Sequence, residues 1–307
     1  MKTKDISFKY ETKRIAVAEG KIFLGKKLIK KILENKIEKG NVLEASKLAG
    51  IIGAKKTSDL LPFCHPIPID HIEVNLEVLE DSIIARAKVI GIWRTGYEME
   101  ALNAVSVALL NIYDMCKTFK EPMYIEYIKL IDKKGGYSEY NTNLKDYTFA
   151  VITVSDSSYE GKRQDLSGKL IKEFFENLGS KLVFYTIVPD TKEKIEKALL
   201  EAKKKGANII LTTGGTGLSF KDITPEVTEK LIKKDIPGLE EAVRIFGTRD
   251  TLYSLLSRAK IGFMDKQTLV INLPGKPKAV KENLEKIIYV LDHAFKMARG
   301  EGHTSEE

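Results

Sequence analysis

Residues 208–225 read NIILTTGGTGLSFKDITP, an apolar run that ends in a glycine-rich turn and then leads to a proline. Asn208–Thr213 is short and apolar, as expected of a buried strand. Thr224 precedes Pro225, a pair that is typical of a helix start. The consecutive glycines let backbone N–H groups converge on an anion without interference from Cβ atoms. The stretch therefore predicts strand, turn and helix in succession, although the turn alone is equally compatible with a tight loop that binds nothing.

The same alternation continues on both sides of this stretch. Strands are predicted at Thr148–Val154, Lys181–Val188, Asn208–Thr213, Lys260–Met264 and Gln267–Leu273, and helices at Leu166–Leu178, Lys192–Lys205, Pro225–Lys234, after Pro237 and before Met297.

Repeated strand–helix units predict an α/β domain over residues 147–307, with a mostly parallel sheet covered by helices on both faces. Ligands of such sheets bind beyond the carboxyl ends of the strands. That rule selects the four loops that follow Val154, Val188, Thr213 and Leu273.

Residues 1–140 have a different rhythm, in which paired strands and helices are interleaved. This order predicts an α+β domain, a ferredoxin-like sandwich. The polar stretch 133–146 separates the two rhythms, and within it we place the linker at residues 141–146. The strands are predicted at Ile15–Leu24, His71–Leu79, Ser82–Trp93 and Met123–Ile131, and the helices at Gly25–Glu34, Val42–Lys56 and Glu98–Phe119.

Composition restricts the classes of function. Of the 307 residues, 43% are hydrophobic and 30% charged, as in globular proteins. The charged N-terminus lacks the apolar segment of a signal peptide, and no apolar run approaches the length of a membrane span, so a cytoplasmic location without membrane contact is expected. Cys64 and Cys116 form no CxxC pair, which argues against a disulfide framework or a thiolate zinc site. The net charge of +7 is spread over both halves without a Lys/Arg block, which argues against a nucleic-acid partner.

The helix predicted over Glu98–Phe119 carries the first candidate chemistry. Its helical period places Glu100 and Asp114 on one face, with Lys117 one turn beyond Asp114. In a cleft, such a pair keeps the carboxylate ionised and the lysine ready to donate a proton. The spacing alone is also typical of a solvated helix face.

A proline-rich loop precedes the strand predicted at His71–Leu79. Leu61–Pro68 reads LPFCHPIP, and its prolines make a stiff segment that can present the imidazole of His65 at a fixed angle. A structural role for His65 is the alternative. Cys64 fits a small apolar filler better than a nucleophile, because no activating partner is identifiable.

Three segments of the first half resemble cyclic pyranopterin monophosphate synthases: LAGIIGAKKTSDLLPFCHPIPI (48–69), GYEMEALNAVSVALLNIYDMCK (96–117) and Lys39-Gly40. The resemblance implies conversion of (8S)-3',8-cyclo-7,8-dihydroguanosine 5'-triphosphate to cyclic pyranopterin monophosphate and pyrophosphate, with no cofactor. It assigns proton transfer to Asp114, Lys117 and Lys39. It assigns substrate binding to Phe63, Cys64, His65, Glu98, Met99 and Glu100, and leaves phosphate neutralisation to lysines and Arg94.

Four segments of the second half resemble the molybdopterin-binding, molybdopterin-adenylyltransferase family: TTGGTG (212–217), KDITPE (221–226), LLSR (255–258) and INLPGKP (271–277). The resemblance implies transfer of AMP from ATP to the terminal phosphate of molybdopterin, with Mg²⁺. It assigns catalysis and Mg²⁺ binding to Asp190 and Asp222. It assigns substrate binding to Gly214, Gly215, Thr216, Gly217, Ser257, Pro274 and Gly275.

Two alternatives to a bifunctional enzyme remain open. Many relatives have an arginine after the Ser-Asp pair, where this chain has Ser157, so the second half is also compatible with a pterin-binding or assembly module. An unrelated nucleotide-binding protein is the third possibility. Relatives of both halves form trimers or hexamers, so the resemblance also implies a homo-oligomer.

Overall fold

The structure is a computed structural model that describes residues 1–7, 9–136, 139–140, 142–249 and 251–301. The chain divides into two compact units, Met1–Glu139 and Tyr140–Glu307. Among the residues described, no helix combines the length and apolarity needed to cross a bilayer.

The first unit is a four-stranded antiparallel sheet with helices packed on it. The sheet order is β2-β3-β1-β4, and the chain order of strands and helices is that of a ferredoxin-like α+β domain. The elements are β1 (Thr12–Phe23), α1 (Lys26–Leu33), α2 (Val42–Lys55), α3 (Thr57–Leu60), β2 (His71–Val78), β3 (Ser82–Trp93), α4 (Glu98–Cys116) and β4 (Tyr124–Lys134).

Helix α4 is held by apolar contacts and by hydrogen bonds to α2. Val105 and Leu109 on α4 are fully buried in one core with Ala16 and Ala18 of β1. On the polar side of α4, the Asn103 amide donates to the Gly53 carbonyl at 2.7 Å. About two turns further along α4, the Asn111 amide donates to Ser46 Oγ at 2.9 Å. The polar face of α4 is therefore largely an interface with α2, which is held at two points along the middle of the helix.

The second unit is a six-stranded sheet of order β6-β5-β7-β10-β9-β8. The first four of these strands are parallel, β9 is antiparallel to β10, and β8 is antiparallel to β9. The elements are β5 (Thr148–Val154), α5 (Asp156–Tyr159), α6 (Leu166–Asn177), β6 (Lys181–Val188), α7 (Lys192–Lys204), β7 (Ile209–Thr213), α8 (Thr224–Leu231), β8 (Lys234–Asp235), α9 (Pro237–Gly247), β9 (Ile261–Asp265), β10 (Thr268–Leu273) and α10 (Pro277–Arg299).

The central strands of the second unit are buried on both faces. Every residue of β7 and β10 is buried, because separate apolar cores cover the two sides of the sheet. Continuous apolar runs are typical of such strands, in contrast to the alternating β1. The mostly parallel α/β fold predicted for this half is therefore confirmed.

Two predicted helices end earlier in the structure. The helix predicted to reach Phe119 ends at Cys116, because Lys117–Phe119 tighten into a 3-10 turn that stops at the left-handed Lys120. The helix predicted to reach Lys234 ends at Leu231, because Lys234 and Asp235 pair with β9.

The polar stretch 133–146 is only partly a connection. Lys133 and Lys134 belong to β4, where they pair with Ala16 and Ile15. Near the other end, Leu144 is fully buried in the second core, and its N–H donates to the Leu178 carbonyl at 3.0 Å. A single leucine among polar residues gives no periodic pattern, so the sequence did not reveal this anchor.

Candidate functional sites

An ion cluster lies at the C-terminal end of α4. Lys117 Nζ is 2.8 Å from Asp114 Oδ1, and Lys39 Nζ is 2.6 Å from Asp114 Oδ2. The hydrogen bonds from Lys117 and Lys39 lower the pKa of Asp114 to about 2, and the Asp114 carboxylate raises the pKa of Lys117. The three side chains are roughly half exposed. The cluster therefore offers an ionised carboxylate between two protonated lysines.

The proline-rich loop lies at the other end of α4. Tyr97, directly before α4, is fully buried, and its hydroxyl donates to the Pro68 carbonyl at 2.7 Å. The charge of Glu100 acts on Cys64, whose pKa is raised first by burial and then by that carboxylate. The loop that carries Cys64 and His65 is thus packed against the first turn of α4.

Glu100 is a buried carboxyl group beside this loop. It is 4% exposed. Burial, reinforced by the charge of Glu98, raises the pKa of Glu100 to about 7. Glu98 itself lies 3.4 Å from Lys133 Nζ. Around Glu100 the predicted substrate residues are accessible, since Phe63 is 53% exposed and Met99 41% exposed.

Replacing Glu100 by Gln is expected to stabilise the first unit at high pH. The pKa of Glu100 rises from 4.5 to about 7 on folding, so the folded chain binds the carboxyl proton more tightly than the unfolded chain does. The free energy of unfolding therefore falls as the pH rises from 4.5 to about 7. Thermal unfolding of the wild type and E100Q should give similar melting temperatures at about pH 4 and a higher one for E100Q at about pH 8. A difference that does not change with pH would contradict the burial argument.

The two clusters of the first unit do not meet within one chain. Glu100 and Asp114 lie fourteen positions apart on one continuous helix, which corresponds to about 21 Å along the axis. The structure therefore brings Lys39, Asp114 and Lys117 together, and separately brings the Cys64–His65 loop to Glu100. The residues that the resemblance assigns to proton transfer and those of the Cys64–His65 loop region that it assigns to substrate binding therefore lie at opposite ends of α4.

Positively charged side chains lie beside the second group, which consists of the Cys64–His65 loop and Glu100. The Arg14 guanidinium is 9% exposed and donates to the carbonyls of Trp93 and Arg94 at 3.0 and 3.4 Å. Burial and the nearby charges of Lys4 and Arg14 lower the pKa of Lys9. Positive charges held close together in this way favour an anionic ligand.

In the second unit, a cavity of about 900 Å³ opens at the carboxyl ends of the parallel strands. Three of the four loops selected from the sequence contribute to its wall. The predicted residues that line the cavity are Gly214, Gly215, Thr216, Gly217, Asp222, Ser257, Pro274 and Gly275.

Two glycines form the floor of the turn after β7. Gly214 and Gly215 have φ values of 96° and 63°, a region that L-residues rarely adopt. A Cβ atom on Gly214 would strike the Val154 carbonyl, and one on Gly215 would strike Thr224 Oγ1. The turn therefore requires glycine at both positions and leaves its backbone open to a ligand.

Asp190 lies behind this turn. Its Oδ1 atom and Thr224 Oγ1 are buried and have no hydrogen-bond partner among the described residues. Burial, followed by the charges of Asp156 and Asp222, raises the pKa of Asp190. Asp156 Oδ1 also accepts a hydrogen bond from the Asp190 N–H at 3.0 Å. Unpaired oxygens surrounded by like charges are a favourable environment for a cation.

Arg258 fastens the loop that carries Asp222. Its guanidinium donates to the Gly217 carbonyl at 2.8 Å and to the Asp222 carbonyl, and it pairs with Glu226 on α8. Arg258 thus joins both ends of the loop to α8, a geometry that the fork of an arginine permits.

Arg258→Ala is expected to loosen residues 217–222. Losing charge-assisted hydrogen bonds worth about 1.5 kcal/mol or more should speed amide hydrogen exchange in this loop by roughly tenfold or more. Lys260→Ala is the control, because Lys260 pairs with Glu229 on α8 at 2.9 Å and makes no side-chain hydrogen bond or ion pair to the described residues of the loop. Equal exchange in both variants would remove the assigned role.

The sequence analysis missed a buried acid in the cavity wall. Asp165 is 8% exposed, and its Oδ2 accepts hydrogen bonds from Thr153 Oγ1 at 2.6 Å and from the Tyr185 hydroxyl at 2.5 Å. Its Oδ1 accepts from the Gly168 N–H at 2.8 Å, which makes Asp165 the N-cap of α6. An aspartate directly before the predicted helix was the signal that could have identified it.

Family models match both units. The MoaC family matches residues 3–136, and a probable molybdopterin binding domain matches residues 150–293. A tungsten cofactor synthesizing protein, MoaB from Pyrococcus furiosus, is 41% identical; the match covers 50% of this chain and 97% of that structure, with a TM-score of 0.48.

Longer relatives span both units. A cyclic pyranopterin monophosphate synthase of Aquifex aeolicus is 55% identical over 281 residues, which cover 92% of this chain and 93% of the relative. A molybdenum cofactor biosynthesis bifunctional protein of Chlorobaculum tepidum is 38% identical over 302 residues, 97% of this chain and 95% of the relative. The chain therefore belongs to the family of molybdenum cofactor biosynthesis bifunctional proteins, in which a MoaC domain and a molybdopterin-binding domain follow each other in one polypeptide.

Proposed function

We propose that the first unit converts the cyclised guanosine triphosphate derivative into cyclic pyranopterin monophosphate. The observation that carries the proposal is the Lys39–Asp114–Lys117 cluster. Rearranging purine-derived rings requires protons to be moved at several atoms, and this cluster supplies one ionised carboxylate and two ammonium groups. Lys39 and Lys117 donate protons, while Asp114 holds both lysines in position and accepts a proton from the substrate.

The other end of α4 is assigned to substrate binding. Glu100 offers a buried carboxyl to the amino edge of a guanine-type ring, and the Cys64–His65 loop packs beside it. Arg14 and Lys9 supply positive charge for the phosphates, whereas Arg94 is paired with Glu11 at 2.9 Å. The packing of the Cys64–His65 loop against the first turn of α4 supports these proposed roles.

Two copies of the chain are needed to complete one synthase site under this proposal. The substrate-binding end and the proton-transfer end of α4 are about 21 Å apart, too far for one small substrate. Leu110 and Tyr113, next to Asp114 on α4, are 58% and 39% exposed, which is compatible with a covering partner. In a symmetric pair of chains, the proton-transfer end of α4 in each chain meets the substrate-binding end of α4 in the other. The pair then contains two complete sites.

Mixing inactive variants tests the shared site. Asp114→Asn removes one end and His65→Ala the other; in a mixed pair, one site carries both changes and the other is intact. Refolding the two variants together should restore about a quarter of the wild-type rate of pyranopterin formation. Asp114→Asn mixed with Lys117→Ala is the control, because both changes affect the same end and no intact site forms. Absence of recovery in the first mixture contradicts a site shared between chains.

For the second unit we propose transfer of AMP from ATP to the terminal phosphate of molybdopterin. The supporting observation is the glycine turn at Gly214–Gly217 with the orphaned Asp190 oxygen behind it. The turn presents backbone N–H groups to a phosphoryl group, and Ser257 and Asp222 line the same cavity. The cavity of about 900 Å³ has room for both substrates.

The residues present fit Mg²⁺. In the described residues no three acidic, histidine or cysteine side chains form a complete metal cage, but Mg²⁺ typically takes one or two carboxylates together with substrate phosphates. Asp190 and Asp222 would hold the ion, and the unpaired Asp190 Oδ1 is the atom best suited to it. When bound, Mg²⁺ would neutralise charge on the phosphates of ATP.

A pterin-binding or assembly module is the second candidate for this unit. Incubating the full chain with ATP, Mg²⁺ and molybdopterin separates the two. Pyrophosphate release that depends on molybdopterin supports adenylyl transfer, whereas binding of molybdopterin without pyrophosphate release supports the module.

A further inference from the structure

Two cations from different loops line the cavity of the second unit. Arg163 lies in the loop between α5 and α6, and Lys276 is the N-cap residue of α10. Ser167, in the first turn of α6, donates a hydrogen bond from Oγ to the Gly275 carbonyl at 2.8 Å. The starts of α6 and α10 are therefore joined beside the cavity, and each brings one positive side chain to it.

Neither charge is compensated by the protein. In the described parts of the chain, the side chains of Arg163 and Lys276 have no hydrogen bond and no ion pair, whereas the adjacent Lys162 and Lys278 pair with Glu160 and Glu282. The carboxylates in the cavity wall already have partners. Asp165 accepts from Thr153 and Gly168, Asp222 accepts from the Ser219 N–H, and Glu282 pairs with Lys278.

Helix ends add to this positive potential. Helix α10 has 23 residues and no side-chain hydrogen bond at its N-cap; Pro277 has no N–H, so the N–H groups of Lys278 and Ala279 are those that remain available to an anion. Pro277 and Ala279 of that turn line the cavity. The two unpaired cations and the open helix start make this part of the cavity complementary to a ligand with several negative charges.

We infer that Arg163 and Lys276 bind the diphosphate portion of the nucleotide. The inference rests on the proposed adenylyl transfer. In that reaction a phosphate oxygen of the pterin forms a bond to the α-phosphorus of ATP, and the bond from that phosphorus to the bridging oxygen breaks. The electron pair leaves with the diphosphate, so negative charge grows on the leaving group. Two cations placed there hold ATP and stabilise that charge.

Inorganic pyrophosphate and inorganic phosphate are the probes, titrated calorimetrically into the full chain. Wild type should bind pyrophosphate more tightly than phosphate, because two cations engage two phosphoryl groups. Arg163→Gln or Lys276→Gln should each weaken pyrophosphate binding about tenfold, and the double variant by on the order of a hundredfold. Lys162→Gln and Lys281→Gln remove the same charge from positions outside the cavity wall, where Lys281 pairs with Glu285, and should change the affinity less than about twofold.

The outcomes separate this inference from the proposed function. Loss of pyrophosphate binding in R163Q and K276Q supports the inference even if wild type releases no pyrophosphate from ATP, in which case the proposed transfer fails. Equal pyrophosphate affinity in wild type and both variants overturns the inference, even if wild type transfers AMP at full rate. Equal affinity of wild type for phosphate and pyrophosphate also overturns it, because the site would then take a single phosphoryl group.

Discussion

Asp114→Asn is expected to abolish pyranopterin formation while the chain still binds the cyclised guanosine triphosphate derivative. The amide keeps the size of the side chain but does not stay negatively charged between Lys39 and Lys117, which lie 2.6 and 2.8 Å from the carboxylate. Loss of a positioned acid–base group typically costs about 10² to 10⁴ in rate. The measurement compares the turnover rate with substrate affinity.

Asp59→Asn is the matched control for this variant. Asp59 is also exposed and pairs with a lysine three residues away, Lys56, at 3.0 Å, but it lies outside the cluster. Its turnover should match that of wild type. Unchanged product formation by D114N, or equal losses in D114N and D59N, would remove Asp114 from the proposed chemistry.

Asp190→Asn is expected to abolish adenylyl transfer and at the same time to stabilise the second unit. The carboxylate is partly buried, with its Oδ1 atom enclosed, and burial together with the charges of Asp156 and Asp222 raises its pKa, so its negative charge opposes folding. Folding raises the pKa of Asp190, so the wild type loses stability as the pH rises through the folded pKa. The asparagine side chain does not ionise, so the variant keeps that stability. Removal of a charge that organises phosphoryl chemistry is expected to reduce the rate by on the order of 10² to 10³.

Activity and melting temperature measured on the same preparation distinguish loss of chemistry from loss of structure. D190N should be inactive in pyrophosphate release and should melt at a higher temperature than wild type at about pH 8. Glu201→Gln, on the exposed surface of α7, serves as the control and should leave both quantities unchanged. An active D190N would exclude Asp190 from the reaction.

The sequence predicted those parts of the sites that are local in the chain. Asp114 and Lys117 are three residues apart in one helix, so their pairing follows from the helical period. Lys39 is 75 positions from Asp114, and only the family resemblance placed the two together. The glycine turn was predictable because two positive φ angles leave few other residue types.

Features that depend on packing between distant segments were not predictable in this way. The burial of Glu100 depends on its tertiary surroundings, including the loop at Cys64, which the helix sequence does not contain. The unpaired oxygen of Thr224 was expected to be an ordinary helix cap, yet it faces Gly215 and has no partner among the described residues. In the sequence, Arg163 and Lys276 are indistinguishable from ordinary surface cations. Only the folded sheet brings their two loops to one cavity.

The buried position of Leu144 determines how the two halves can be studied apart. A truncation that starts the second half at residue 147 removes a side chain that is fully buried among core aromatics, together with its hydrogen bond to Leu178. Emptying a leucine site costs about 2–5 kcal/mol, a large share of the roughly 5–15 kcal/mol that stabilises a typical domain. A fragment that begins at residue 142 retains this anchor, and its loss of activity could then be attributed to separation of the halves rather than to a damaged core.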